Sequence, residues 1–260
     1  VTEDELLRKG ASTLSDAGIP DPMREARILW RAMSADDTEV YLTKIAQRAT
    51  RMPLSQVLGY RDFYKHRFIV TSDVLDPRPD TETLIETALR APFTRVLDLG
   101  TGSGCLLLSL LTEQPAATGL GTDVSQAALE IATQNADALG VTARAAFIQS
   151  DWFATITGQF DLIVANPPYI AAAEMDDLEP EVRLFEPRGA LTDEADGLSA
   201  YRIITCKAQA YLVSGGRLIF EIGPSQGAAV SALLDSAGFT ELQVIPDLEG
   251  RNRVVGGKNP

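Results

Sequence analysis

Asn166-Pro167-Pro168-Tyr169 is a stretch whose residue types could do chemistry. It follows an apolar run, Phe160-Asp161-Leu162-Ile163-Val164-Ala165, that reads as a buried strand closed by a turn. Neither proline has an N–H to donate, and the residue before each is pushed out of the helical region. The backbone at Asn166 and Pro167 is therefore stiff, with carbonyls able to accept hydrogen bonds from elsewhere. A polar side chain, free carbonyls and a flat aromatic at a strand end suit the grip of a planar –NH2 group. A plain strand terminator with a turn accounts for the same four residues equally well.

Three more stretches carry chemistry of a compatible kind. Asp98-Leu99-Gly100-Thr101-Gly102-Ser103-Gly104 places glycines at alternate positions, so a backbone can approach a ligand closely and then enter a helix. The spacing is G-x-G-x-G, not the G-x-G-x-x-G of dinucleotide folds, and a structural turn explains a lone loop of this sort. Asp123 stands 19 residues beyond Gly104. It can accept two ribose hydroxyls or cap the helix opened by Ser125 and Gln126; the glycine loop favours the ribose role. In Ser150-Asp151-Trp152-Phe153, the carboxylate can accept from an adenine amino group and the indole can lie on the ring, or Trp152 can simply be core.

These stretches need elements to position them. From Arg95 onward strands and helices alternate. Strands are expected at Arg95–Leu99, Thr118–Thr122, Ala145–Gln149, Phe160–Ala165, Gly216–Ile222, Thr240–Ile245 and Arg253–Gly256. Helices are expected at Cys105–Leu111, Gln126–Leu139, Leu198–Leu212 and Ala228–Ala237. Such alternation predicts an α/β fold with a mostly parallel sheet covered on both faces. Ligands then bind beyond the carboxyl ends of the strands, near the switch point. All four stretches fall at such ends.

Upstream, residues 3–50 show helical spacing, interrupted at Gly18-Ile19-Pro20-Asp21-Pro22, and read as a small helical bundle. Residues 60–76 read as a short β-hairpin, and a helix is expected from Thr81 to Arg90, capped by Asp80 or Thr81. The expected organisation is a bundle over 1–59, a hairpin connector over 60–80 and an α/β domain over 81–260.

Composition excludes several classes. The net charge is −13, and residues 1–75 are balanced at 11 basic and 11 acidic side chains, so the whole excess lies downstream. That field repels free nucleic acid, and no basic stripe offsets it. No apolar run is long enough to span a bilayer. The acidic start, Val1-Thr2-Glu3-Asp4-Glu5, lacks a signal-peptide pattern, so cytoplasmic residence is the expectation. The 2 cysteines, Cys105 and Cys206, form no Cys-x-x-Cys pair, so neither a zinc site nor a disulfide framework is expected. The lone histidine, His66, reads as a surface hairpin residue. Cys105 opens a helix N-terminus, which lowers a thiol pKa, but it reads as packing.

Together the strand ends offer a backbone cradle, a ribose acid, a base site and an amino-group grip. The arrangement resembles the Rossmann-like class I S-adenosylmethionine-dependent methyltransferases. Asp98-x-Gly100-x-Gly102-x-Gly104 matches their cofactor loop, and Asn166-Pro167-Pro168-Tyr169 matches their amino-methylating branch. Further runs are similar to one family: Arg78-Pro79-Asp80-Thr81-Glu82, Ser150-Asp151-Trp152-Phe153, Val182-Arg183 with Glu186-Pro187 and Ala190-Leu191, and Phe220-Glu221-Ile222-Gly223. That family is the HemK/PrmC protein-glutamine N5-methyltransferases, which act on peptide-chain release factors. The resemblance runs from about Pro53 to Gly257; Thr192-Asp193-Glu194-Ala195-Asp196-Gly197 departs from the family's glycine-richer version.

The resemblance implies S-adenosylmethionine as cofactor and S-adenosylhomocysteine as product. It implies a release factor as protein partner, with no metal, no free nucleic acid and no membrane, and a monomer. Gly100, Thr101, Gly102, Ser103, Gly104, Asp123, Asp151, Trp152 and Asn166 are the expected cofactor residues. Asn166, Pro167, Pro168 and Tyr169 are expected at the substrate, with Asn166, Pro167 and Tyr169 carrying catalysis. Asn166 and the Pro167 carbonyl would accept the two amide hydrogens, and Tyr169 would wall one face. A glutamine amide is a poor nucleophile, so rate would come from placement and electrostatics. Three alternatives stay open: a ribosomal-protein glutamine, an adenine amino group in nucleic acid, and a non-enzymatic nucleotide-binding module.

Overall fold

The computed structural model describes residues 2–33 and 37–260. Val1 and residues 34–36, which belong to the expected bundle, lie outside the described residues. Three helices open the chain: α1 (Glu3–Asp16), α2 (Pro22–Arg31) and α3 (Thr38–Ala49). Thr2 and Glu5 form a capping box at α1, Pro22 sits in the first turn of α2, and the Asp37 carboxylate caps α3. The three helices pack together on Leu6, Leu14, Leu29, Tyr41 and Ile45. A short α4 (Leu54–Leu58) leads into the hairpin β1 (Tyr60–Phe63) and β2 (His66–Ile69).

A single 3-10 turn, Pro79–Thr81, enters α5 (Glu82–Ala88). Thr81 takes the N-cap position of that helix as expected, but its side chain makes no capping hydrogen bond. Asp80 pairs instead with Arg253 at 2.7 Å, and the Thr81 hydroxyl accepts from Asn166. Charge pairing and a buried hydroxyl outcompete the cap.

The remainder runs β3 (Arg95–Leu99), α6 (Cys105–Glu113), β4 (Thr118–Asp123), α7 (Gln126–Ala138), β5 (Ala145–Gln149) and β6 (Phe160–Ala165). A 3-10 turn at Ala172–Asp177 then precedes α8 (Pro180–Phe185), α9 (Arg188–Leu191) and α10 (Ser199–Ala208). The chain closes with β7 (Leu212–Glu221), α11 (Gly227–Ser236), β8 (Thr240–Pro246) and β9 (Asn252–Lys258). The expected helix over 198–212 ends at Ala208, gives a 3-10 turn at Gln209–Tyr211, and β7 starts earlier than expected.

The sheet has 7 strands in the order β5-β4-β3-β6-β7-β9-β8. Neighbours from β5 to β7 are parallel, and β9 runs antiparallel between β7 and β8. Successive strand residues face opposite cores, as the period of two requires. Val96, Leu162 and Val164 join one core with α5 and α6, while Leu97, Ile163 and Ala165 join the other with α10 and α11. The chain leaves β3 toward β4 on one side and returns at β6 on the other. The switch point therefore lies between β3 and β6, where Leu99 pairs with Ala165.

Candidate active site

A cavity of about 240 Å³ opens at this switch point. Gly100, Thr101, Gly102 and Ser103 after β3 line it, as do Asp123 after β4, Trp152 after β5, and Asn166, Pro167 and Pro168 after β6. The four stretches that the sequence singled out thus converge on one cleft. Thr81, Asp98, Cys105, Ser150 and the segment Asp73–Arg78 also line it, with Pro187, Gly189 and Ala190 from the chain around α9.

The glycine loop has two kinds of glycine. Gly100 and Gly102 take φ +73° and +53°, and a Cβ on either would meet nothing within 4 Å, so their faces are open. Gly104 ends the loop at φ +79° as the N-cap of α6, and a Cβ there would press Leu108 at 3.0 Å and Ala132 at 3.2 Å. It does not line the cavity. Its place is the packing of α6 on α7.

Asp123 joins the loop to the next strand end. One carboxylate oxygen accepts the Gly102 N–H and the other the Ser125 N–H, both at 2.9 Å. Ser125, not Asp123, caps α7. Each Asp123 oxygen keeps acceptor capacity for a ligand hydroxyl. Asp98, 1% exposed, accepts from the Thr101 hydroxyl at 2.7 Å, and burial lifts its pKa to about 7. Asp98 was legible as part of the loop motif, but nothing in spacing marked its carboxyl as a separate site group.

At the third strand end, Trp152 and Ser150 line the cleft while Asp151 is exposed and does not. Trp152 adopts φ +49°, a left-handed conformation rare for a bulky residue, and packs against the second core. Cys105 lines the cleft, yet burial pushes its thiol up to about 12, opposite to the helix effect, so it is unreactive. His66 lies in the hairpin as expected, half-buried and away from the cleft, and shares a hydrogen bond of 2.9 Å with Thr112, because the hairpin lies against the end of α6.

The tetrad divides likewise. Asn166 Nδ2 donates to Thr81 Oγ1 at 3.5 Å, which leaves Oδ1 free. Tyr169 does not line the cavity; its ring packs on the second core and its carbonyl accepts from Gln226 Nε2 at 2.9 Å. Burial, then the nearby Glu221, raise its phenol pKa above the ordinary range and keep the proton on. A Cβ on Gly197 would run into the Tyr169 carbonyl, so glycine lets the 192–197 turn close on the tetrad. In that turn Asp193 accepts the N–H groups of Ala195, Gly197 and Ser199, which holds its pKa at about 2.

Charged pairs hold the roof. Arg78 binds Glu186 at 2.5 Å, and the 1% exposed Glu186 side chain has its pKa lifted to about 7, mainly by burial. Arg48 of α3, nearly buried, bridges Glu25 at 2.6 Å and Glu181 of α8 at 3.0 Å. The helices at the start of the chain are thereby tied to the segment that overhangs the cleft. Among the described residues no cluster of three potential metal ligands occurs, and no helix is long and apolar enough to cross a membrane.

A switch-point cleft in this sheet, with a glycine loop and an acid at adjacent strand ends, defines a class I methyltransferase fold. Residues 63–184 match the family model described as the methyltransferase small domain. The chain is 48% identical to the release factor glutamine methyltransferase of Cereibacter sphaeroides, over 98% of both chains. It is 42% identical to the protein of the same description from Rhodospirillum rubrum, over 96% of this chain and 83% of that one. A methyltransferase structure from Pyrococcus furiosus, 15% identical, superposes with a TM-score of 0.56 over 84% of this chain and 97% of that one, which is a likeness of fold. The chain belongs to the release factor glutamine methyltransferase family.

Proposed function

We propose that this cleft transfers a methyl group from S-adenosylmethionine to the side-chain amide nitrogen of a glutamine in a peptide-chain release factor. The observation that carries the reading is the pairing of Leu99 with Ala165, which sets the glycine loop and Asn166 side by side at the switch point.

The residues present fit the cofactor. Gly100 and Gly102 leave open faces where a side chain would otherwise intrude, Asp123 keeps acceptor capacity toward the cleft, and Trp152 offers an aromatic face. Gly100, Thr101, Gly102, Ser103, Asp123, Trp152 and Asn166 would hold it. Gly104 supports them from behind, and exposed Asp151 stands at the rim of that set. Bound there, S-adenosylmethionine supplies an electrophilic sulfonium methyl.

The protein's part is placement. Asn166 Oδ1 and the Pro167 carbonyl accept the two amide hydrogens and draw lone-pair density onto nitrogen. Pro167 and Pro168 hold that backbone stiff, and Tyr169 backs the tetrad. The amide nitrogen would take up that methyl as the C–S pair leaves with sulfur as a thioether, and its surplus proton would pass to water, while Asn166 Oδ1 and the Pro167 carbonyl hold the amide in line. No metal takes part in this scheme. The bundle over 1–59, the hairpin over 60–80 and the catalytic domain over 81–260 form one arm for the protein partner and one for the chemistry. The chain works as a monomer in the cytoplasm.

A transfer assay with labelled methyl tests the reading, offering release factor, ribosomal protein and DNA in parallel. Label in release factor is expected. Label in DNA alone, or in ribosomal protein alone, would overturn it.

A further inference from the structure

Glu221 closes β7 where Phe220 pairs with Ala165, so it stands next to Asn166 across about 4.8 Å of sheet. The residue is 1% exposed, and among the described residues neither carboxylate oxygen has a hydrogen-bond partner. A buried carboxyl left unpartnered is costly and needs a reason. Its backbone is held firmly, since the Tyr201 hydroxyl donates to the Glu221 carbonyl at 2.8 Å.

Two hydroxyls approach the carboxylate closely enough to favour its anion, Thr81 first and then Tyr169, although neither reaches hydrogen-bond geometry. Both belong to the tetrad's surroundings. Thr81 Oγ1 already accepts from Asn166 Nδ2, so its own proton must go elsewhere. Tyr169 is the last tetrad residue and keeps its proton. Hydrogen bonds at active sites are often long before the substrate arrives and tighten in the complex.

We propose that Glu221 is a positioning residue for methyl transfer: its carboxylate accepts the protons of Thr81 and Tyr169 and so fixes the Asn166 amide with Oδ1 toward the cleft. This rests on the reading of Asn166 as the substrate grip. Were Thr81 to turn, the Asn166 amide could flip and present a donor where the substrate needs an acceptor. One buried carboxyl thus anchors both ends of Asn166-Pro167-Pro168-Tyr169.

Charge state matters to the anchor, because the anion offers each hydroxyl its own acceptor oxygen, whereas the neutral acid turns one oxygen into a competing donor. Burial lifts the Glu221 pKa to about 7. Arg253 of β9 favours the anion, and Asp80 of the 3-10 turn opposes it. Tyr169, Tyr201 of α10 and Cys105 of α6 also feel its charge, and all stay protonated at neutral pH.

The test compares the pH dependence of kcat for methyl transfer to release factor in the parent, E221Q and T81V proteins. The parent should gain activity as pH rises through about 7. E221Q should lose about tenfold in kcat at about pH 8 and show a flatter limb, with S-adenosylmethionine affinity by calorimetry within about twofold. A kcat within about twofold of the parent across the pH range would overturn the proposal, whereas a residual limb at lowered kcat would report Asp98, which lines the same cleft and also has its pKa lifted to about 7. Should E221Q fail to bind cofactor at all, T81V carries the test from the other end: reduced kcat at unchanged cofactor KM supports it, and parental kcat overturns it. Asn166→Ala separates the two ideas. If that variant turns over normally, the grip itself is wrong. If it is dead while E221Q is normal, only the positioning role falls.

Discussion

The Gly102 N–H donates to Asp123 Oδ2 at 2.9 Å, so the glycine loop after β3 and the acid after β4 are one unit. Asp123 fixes the conformation of the loop that must approach the cofactor, and its remaining lone pairs face the same cleft. Removing the carboxylate therefore takes away an anchor and an acceptor together. Asp123→Ala should weaken S-adenosylmethionine binding about 10- to 100-fold. Isothermal calorimetry checks it; unchanged affinity would remove Asp123 from the cofactor site.

Asn166→Ala deletes the acceptor but leaves the loop, Asp123 and Trp152 in place. Turnover should fall by about a hundredfold or more, while cofactor affinity, carried mainly by the glycine loop and Asp123, should fall by no more than about fivefold. Single-turnover kinetics with labelled methyl separate the two quantities. A loss confined to cofactor binding would mean that Asn166 serves the cofactor and not the amide.

The two kinds of glycine should fail differently. Gly104→Ala combines a left-handed backbone with a Cβ pressed on Leu108 and Ala132, so it should cost about 1–3 kcal/mol of stability. Gly100→Ala meets no neighbour and intrudes only into the cleft, so it should cost about 1 kcal/mol of strain and depress cofactor affinity more than stability. Chemical denaturation and calorimetry on both variants read the contrast.

Stability of the free protein should fall as pH rises from about 4 to 7. Asp98, Glu186 and Glu221 all have folded pKa values of about 7, against ordinary values of 3.8 or 4.5. The folded state therefore holds protons that the unfolded chain has released, and the stability they contribute is lost as pH climbs through that window. Self-repulsion at a net charge of −13 acts in the same direction. Below the ordinary carboxylate range the sign reverses, because Asp193 is held at about 2 by backbone donors. Tm should be higher at pH 5 than at pH 8, and Asp98→Asn should flatten the difference. A Tm that rises from pH 5 to pH 8 would contradict this.

The central strands were legible because they are apolar runs closed by glycine or by Asn-Pro, and the outer ones followed from their alternation with helices. Arg95–Leu99 and Phe160–Ala165 fall where alternation puts them. Sequence also placed four of the strand-end stretches at one cleft, since topology sends every parallel carboxyl end to the same edge. Contacts between distant segments were not legible. Nothing local reveals that Asp80 leaves its helix for Arg253, that Arg48 reaches Glu181, or that Glu221 lies unpartnered beside Asn166. Spacing assigns Asp151 to an adenine amino group and Trp152 to the ring, but it does not reveal that Trp152 lines the cleft from a left-handed turn while Asp151 is exposed outside it. Periodicity reports the face a residue takes, not the partner it finds across the fold.

Mass spectrometry of release factor after incubation with this protein and S-adenosylmethionine tests the central claim most directly. One added methyl is expected, located by fragmentation on a glutamine side-chain nitrogen, and absent with the Asn166→Ala variant. A methyl on any other residue type, or an unmodified release factor beside a methylated ribosomal protein or DNA, would contradict it.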